Sequence, residues 1–515
     1  MLRLGKYLSS SEKGAFTMNW KNRHIIILAV VALLVGAAGT YIGMQWFAPG
    51  ETATSTEDSS SGKSFGDMTQ EEQKAFIENA QGSSNLKKVE KAYTLIDERY
   101  VEDVDKSTLV EGAIEGMINK LDDPYSTYMD QETMEQFNQS IESSFQGIGA
   151  EVSMVDDKVT IVAPIKGSPA EEAGLKPNDQ VLKIDGDSTK GLDLQEAVNK
   201  IRGEKGTEVT LTVDRPGAPE PIEITITRDD IPKESVYKDT KEVDGKKVGV
   251  LEITSFSEET SKEFKKHLTD LEEEGIEGLV IDVRGNPGGL FTDVQDVLKQ
   301  LVPDDKPIVQ IESRDGENSK YYSERSSGKE YPISVLIDEG SASASEILAA
   351  AMKEIGNHPV VGTTSFGKGT VQQAVPMGDG STLKLTMFKW LTPNGNWIHE
   401  EGVTPTEKVK QPAFFYTHPV TAEKTLDTSS SGDKVKNVQQ MLKGLGYAKT
   451  ETDGSYGEGT EAAVKAFQQD HDLEATGAVN EKTGGELEKQ VVEEVQKEEN
   501  DRQMQKALDV LFRDA

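Results

Sequence analysis

Apolar residues change their spacing several times along this chain, and each change marks a different kind of element. Ile25 to Phe47 is nearly unbroken apolar sequence, with no charge and one amide, Gln45. As a helix it would span roughly 34 Å, enough to cross a bilayer. From Glu71 to about Ile141 the repeat is helical. Leu86, Val89, Tyr93, Ile96 and Tyr100 fall on one face at three- and four-residue steps. Leu109, Ala113, Met117 and Leu121 repeat the pattern before a stop at Asp122, Asp123 and Pro124. This arm has enough apolar surface to pack on a second copy of the chain or on the body of the protein. Phe145 to Asp230 turns β-rich, with one clear helix from Leu194 to Ile201. Ile231 to about Pro412 then alternates strands with helices. The strands are Val248 to Ile253, Gly278 to Val283 and Ile333 to Ile337, and the helices include Ser257 to Leu271 and Thr292 to Leu301. Such alternation predicts an α/β core with a partly parallel sheet.

Flanking charge orients the first segment. Arg3, Lys6, Lys13, Lys21 and Arg23 precede it against Glu12 alone, and the chain turns acidic behind it. The positive-inside rule places the N-terminus in the cytoplasm and everything after Pro49 outside. The apolar run exceeds a typical signal core, which favours a retained single-pass anchor over a cleaved signal peptide. Gly50 to Asp67, rich in Ser, Thr, Gly and acid, reads as a tether. The remaining composition excludes several classes of function. Net charge is −34, from 56 Lys and Arg against 90 Asp and Glu, so nucleic-acid phosphates would repel this chain. There is no cysteine, and the six histidines are not spaced as a ligand pair. Neither a metal nor another cofactor is predicted.

Two stretches carry candidate chemistry. Ser341-Ala-Ser-Ala-Ser-Glu346 follows a buried strand and opens a helix over Ile347 to Lys353. A serine at such a turn is backed by backbone N–H groups and the positive end of the helix dipole. Phe366-Gly-Lys-Gly-Thr-Val-Gln-Gln373 places a lysine between two glycines, where little bulk prevents close approach. Serine is a weak nucleophile and needs a base. Lysine serves only when neutral, in a pocket dry enough to bring its pKa to roughly 7–8. Gln372, four residues on, could fix the amine without adding charge. If the stretch is a strand, the even separation puts both side chains on one face. Blander readings coexist with these: Ser343 to Glu346 is a capping box, and a glycine-flanked lysine is commonly solvated.

Two decoys fail on detail. Gly362-Thr-Thr-Ser-Phe-Gly-Lys368 nearly spells a phosphate-binding loop, but Gly369 stands where a hydroxyl is needed and a strand follows. Gly285-Asn-Pro-Gly-Gly289 is close to a trypsin-like nucleophile loop, but Pro287 replaces the serine. A glycine turn there could still aim an N–H at a developing oxyanion.

Three resemblances gather these features. Phe145-Gln-Gly-Ile-Gly149, Ser168-Pro-Ala-Glu-Glu-Ala-Gly-Leu175, Asp179-Gln-Val-Leu-Lys-Ile-Asp-Gly186 and Ile201-Arg-Gly-Glu-Lys-Gly-Thr207 resemble a PDZ domain in their order. In that reading Phe145, Gly147, Ile148 and Gly149 bind a peptide: loop N–H groups cradle its terminal carboxylate while it adds a strand to the sheet edge. The spacing of Leu426, Val435, Val438, Leu442, Leu445-Gly-Tyr447, Gly454, Tyr456, Thr460, Ala463, Phe467 and Gly477 resembles a small helical peptidoglycan-binding module. Finally, Asp282-Val-Arg-Gly-Asn-Pro-Gly-Gly-Leu290, Gly340 to Glu346 and Ser365 to Gln372 resemble the carboxyl-terminal processing (tail-specific) serine proteases, over about residues 85 to 410. That likeness implies Ser343 as nucleophile, Lys368 as base with Gln372 beside it, and an oxyanion hole from the N–H groups of Ala344 and Gly289. It also implies that Arg202 couples the PDZ domain to the site. Pro405-Thr406 departs from the family's more usual proline-aspartate.

The expected fold is therefore multidomain α+β. It comprises a basic lead (1–24), transmembrane anchor (25–47), linker (48–70), helical arm (71–141), PDZ β-sandwich (142–230), protease core (231–418), all-α wall-binding module (419–490) and a charged helical tail (491–515) to which no role is assigned. The expected partners are unstructured C-terminal tails, peptidoglycan, the membrane and a second copy of the chain through the arm. An inactive PDZ scaffold and a peptidoglycan-cleaving enzyme are the rivals, and the latter lacks a visible carboxylate pair or metal site.

Overall fold

The computed structural model describes residues 84–513, except 156–157, 217, 219, 421–424 and 448–451. The anchor, basic lead, linker and first part of the arm lie outside these residues. Among the described residues, no helix is long and apolar enough to cross a membrane.

A six-stranded sheet holds the protease core together. Its order is Val236–Val243, Lys246–Ile253, Gly278–Asp282, Ile333–Ile337, Val360–Gly362 and Glu407–Lys408. The first pair is antiparallel and every later pairing is parallel. Buried parallel strands read as continuous apolar runs because both faces are covered, and Gly278–Asp282 and Ile333–Ile337 are buried at every position. Alternation then assigns the faces. Leu251, Ile253, Leu279, Ile281, Val335 and Ile337 join the core formed with the helices Thr260–Glu273, Phe291–Leu298 and Ala344–Glu354. Val248, Val250, Val280, Leu336 and Val361 point the other way and meet Ala507, Val510 and Leu511 of the helix Arg502–Leu511.

The charged tail thus has a structural role that its sequence did not announce. Its last helix covers the second face of the central sheet, and the Ser334 hydroxyl donates to the Ala507 carbonyl at 3.1 Å. Asp501 caps that helix at Met504 N (2.9 Å) and also accepts both terminal nitrogens of Arg284, each at 2.9 Å. Arg284 is held in turn by Asp282. Burial opposes the guanidinium charge, but the two carboxylates outweigh it and raise its pKa.

The arm departs from a purely helical reading. Helices Ser84–Arg99, Lys106–Ile118 and Gln131–Ile141 are interrupted by a strand, Thr127–Met129. It pairs antiparallel with Thr382–Leu391, the strand that also pairs with Thr370–Pro376 and Pro307–Ser313. Three residues are too few for a period-two pattern to show against helical neighbours. The end of the arm packs on the body, since Met129, Phe137 and Ile141 form a buried cluster with Leu290. The seam at Leu86, Val89, Ile96 and Tyr100 is exposed.

Between arm and core, the sheet Ala150–Val155, Lys158–Pro164, Gln180–Ile184, Glu208–Asp214 and Ile222–Thr227 encloses its own core with Ala197 and Ile201 of the helix Leu194–Ile201. A ribbon of Ser144–Gly147 and Asp229–Pro232 links it to the rest. The C-terminal module is three helices, Asp433–Gly444, Glu458–Asp470 and Glu481–Val495, around Val438, Leu442, Val464, Phe467 and Leu487. Two buried amides brace its turns alike: Gln439 accepts from Gly454 N and donates to Thr460, and Gln468 accepts from Gly477 N and donates to Thr483. Ala507→Asp would bury a charge without a partner under the central sheet. It is expected to destabilise the core by about 3 kcal/mol in urea denaturation.

Candidate active site

The strand Ile333–Ile337 ends in a turn tied down by Asp338, which accepts from Gly285 N and Gly340 N at 2.8 and 2.9 Å. Ser341 spends its hydroxyl on the Val283 carbonyl at 2.8 Å. The chain then reaches Ser343, the N-cap of the helix Ala344–Glu354, at φ 53° and ψ −111°. A side chain rarely adopts such a backbone, which costs on the order of 1–3 kcal/mol and persists only where neighbours over-determine it.

Glu346 supplies that determination. Its Oε2 accepts from Ser343 N and from Lys368 N, both at 2.8 Å. The two nitrogens therefore lie within twice that distance of each other. Its Oε1 accepts from Gly367 N and the Ser365 hydroxyl, both at 2.6 Å. Burial raises the Glu346 pKa, and these four donors work against the rise. The capping partner read from sequence is thus also the bolt between the serine turn and the lysine loop. Phe366 N adds a second tie, to the Ser341 carbonyl at 3.0 Å.

Both glycines beside Lys368 are needed for close approach. A Cβ on Gly369 would meet His399 N at 2.7 Å and Trp397 Nε1 at 2.9 Å; one on Gly367 would meet the Glu400 and Gly402 backbone at 3.1 Å. Trp390 Nε1 donates to the Lys368 carbonyl at 2.7 Å. Lys368 is completely buried, not a solvated loop residue, with its amine 5.1 Å from the Tyr125 ring centre. Burial pulls its pKa down to about 8, against the pull of Glu346 and Asp123. Gln372 is buried too, its amide donating to Thr370 Oγ1 and Thr386 Oγ1 at 3.0 and 2.9 Å. Simple strand alternation does not set the Lys368–Gln372 relation. Lys368 precedes the strand Thr370–Pro376, whose register shifts between Val371 and Gln372.

The glycine turn after Gly278–Asp282 packs directly on the serine. A Cβ on Gly288 would lie 2.9 Å from Ser343 Cβ and 3.1 Å from Ala344 N, and one on Gly289 only 2.0 Å from the Phe256 carbonyl. Gly288 N is used by Asn286 Oδ1 at 2.8 Å. The Gly289 and Ala344 N–H groups have no acceptor among the described residues. Buried hydroxyl, depressed amine and two available N–H groups are the parts that acyl transfer requires.

The PDZ residues divide between two places. Phe145 and Gly147 lie in the linking ribbon, whereas Ile148 and Gly149 adjoin the helix Pro169–Glu172. There the Ile148 carbonyl accepts from Ala170 N, and Gly149, at φ 74°, has Ser168 too close for a Cβ. Arg202 caps the helix Leu194–Ile201 and lies over the Phe145 ring at 5.2 Å. A cavity of about 710 Å³ opens beside it, lined by Glu142 at the cap of the arm's last helix, Asp230 of the ribbon and Glu258 of the core. The unusual Thr406 ties its segment to the strand Val360–Gly362, its hydroxyl donating to the Val360 carbonyl (3.0 Å) and accepting from Val360 N (2.9 Å). Sequence reasoning missed Asp123, Tyr125 and Lys384. They come from the arm and a neighbouring strand, and only the parity of Thr382, Lys384 and Thr386 hinted at an inward face.

A serine turn, a lysine loop and a glycine turn thus meet on an α/β sheet that adjoins a separate β domain. The peptidase family S41 model matches residues 247–409, the PDZ domain model 160–215, the peptidoglycan binding domain model 431–487 and the activating protease CtpB N-terminal domain model 33–133. Carboxy-terminal processing protease CtpB of Bacillus subtilis is 47% identical over 94% of this chain and 99% of its own length. Carboxy-terminal processing protease CtpA of the same organism is 44% identical over 84% and 91%. The solved photosystem II D1 C-terminal processing protease is 27% identical, with a TM-score of 0.40, over 64% of this chain and 94% of that one. The chain belongs to the carboxyl-terminal processing serine proteases of family S41.

Glu346→Gln would set an NH₂ against backbone N–H donors. A loss of at least about 3 kcal/mol in denaturant unfolding is expected. Lys368 binds its proton more weakly folded than unfolded, so burial costs stability at neutral pH, and the cost is relieved as pH rises from about 8 towards 10.5. Lys368→Met should therefore stabilise the protein by up to about 3 kcal/mol at pH 7, and the gain should fade above pH 10. Urea titrations across this pH range check it.

Proposed function

We propose that this protein is a membrane-anchored endopeptidase of the cell envelope that takes unstructured, apolar C-terminal tails and cuts through an acyl-enzyme on Ser343. The observation that carries the reading is the wholly buried Lys368, its pKa drawn down by burial, bolted through Glu346 to the serine turn. Neutral Lys368 removes the Ser343 proton as the hydroxyl attacks the peptide carbonyl. The N–H groups of Gly289 and Ala344 receive the oxyanion. The ammonium of Lys368 then protonates the leaving amine, and the regenerated base activates water for deacylation. Gln372, held by two threonine hydroxyls, fixes the geometry around the amine.

The strand Ala150–Val155 is the outer strand of the PDZ sheet and lies beside the helix Leu194–Ile201, a geometry suited to an added peptide strand. A tail held there, its carboxylate at the turn around Gly147 to Gly149, would act on the site through Arg202, which faces arm, ribbon and core across the shared cavity. Ile25 to Phe47 provides the anchor, the three-helix module holds peptidoglycan, and the exposed seam of the arm pairs two copies.

Cleavage of a test protein bearing an unfolded apolar tail should disappear in Ser343→Ala and in Lys368→Ala. Wild-type kcat/KM should rise with pH and level off above about 8. Two units lower, near pH 6, it should fall about 100-fold. Equal cutting by all three proteins would refute the site, and binding without cutting by wild type would leave a tail-capturing scaffold.

A further inference from the structure

A second lysine lies beside the first and has no established task. Lys384 is 2% exposed, on the strand Thr382–Leu391, opposite Ala374 on one side and Thr127 on the other. It shares a face with Thr386, whose hydroxyl holds Gln372. Its amine lies 5.8 Å from the Phe137 ring centre, and Phe137 packs with Leu290, the residue after Gly289. The amine therefore sits beside the arm, within electrostatic reach of Lys368. Among the described residues its side chain makes no hydrogen bond or ion pair. The charged groups acting on it are Lys368 and Asp123. Asp123 is already engaged by Tyr125 N (3.0 Å) and the Ser126 hydroxyl (2.5 Å), and Glu346 by four donors.

An amine nearly enclosed by protein, with no acceptor from it, is poorly solvated, and an incoming anion would relieve that cost. We propose that Lys384 is a carboxylate-binding residue of the cleft, holding either an acidic side chain of the substrate or the carboxylate freed at the cut. The proposal rests on the reading of Ser343 and Lys368 as the reacting pair.

The test uses the full chain with peptides in which Glu or Asp is exchanged for its amide, one position at a time, across four residues on each side of the cut. At one position wild type should prefer the acid by about tenfold in kcat/KM, as a charge-assisted hydrogen bond provides. Lys384→Met should lose this preference and Lys384→Arg should keep it. In the second arm, calorimetry compares a product peptide ending in a free carboxylate with its amide. If the freed terminus is the ligand, the carboxylate form should bind about tenfold more tightly, and this difference should vanish in Lys384→Met. Absence of discrimination by wild type in both arms, or its survival in Lys384→Met, overturns the proposal. Mass-spectrometric detection of a fluorophosphonate on Ser343 separates the two levels. An unlabelled wild type sinks the serine reading, whereas a labelled Lys384→Met without altered selectivity sinks only the role of Lys384.

Discussion

One buried carboxylate joins the parts of this site. Glu346 is the third residue of its helix, where its reach back to Ser343 N is ordinary capping geometry. Its other lone pairs face the loop of Ser365, Gly367 and Lys368, which belongs to a different part of the sheet. Without that acceptor, three buried N–H groups and a hydroxyl would lose their partner together, and the unusual backbone of Ser343 would lose what holds it. Lys368 is fully buried and Ser343 nearly so, and tying both backbones to one oxygen fixes the separation of the two turns.

The sheet beneath is built from strands apolar on both faces, and such strands require two covers. Three helices of the core supply one. The other comes from the far end of the chain, after the three-helix module, where Ala507, Val510 and Leu511 close over Val280 and Leu336. The module is therefore held at both ends, by Phe414 packed in its core on one side and by this helix on the other. Because Asp501 anchors Arg284 at the root of the glycine turn, the last stretch of sequence touches the same loop that lies against Ser343.

The arm makes a comparable return. Asp123 and Tyr125 stand beside the lysine because Thr127–Met129 extends the sheet that carries Gln372 and Lys384. The electrostatics of the cleft thus draw on segments separated by more than half the chain. Two depressed amines, two aromatic rings and two engaged carboxylates lie close enough that the charge state of each amine depends on its neighbours.

Local chemistry was legible in the sequence wherever one stretch contained its own reason. The strand before Ser343, the capping box, the glycines around Lys368 and the glycine turn at 285–289 each follow from spacing and residue type. The alternation of core elements predicted the parallel sheet, and the PDZ and wall-module patterns marked their domains. What sequence could not settle depended on distant groups meeting. The lysine's burial requires Tyr125, Trp390 and the 397–402 segment to close over it. The relation of Lys368 to Gln372 turned on a register shift that strand periodicity cannot reveal. The role of the charged tail stayed hidden because a helix of ten residues with one apolar stripe shows what it can bury but not which sheet lacks a cover.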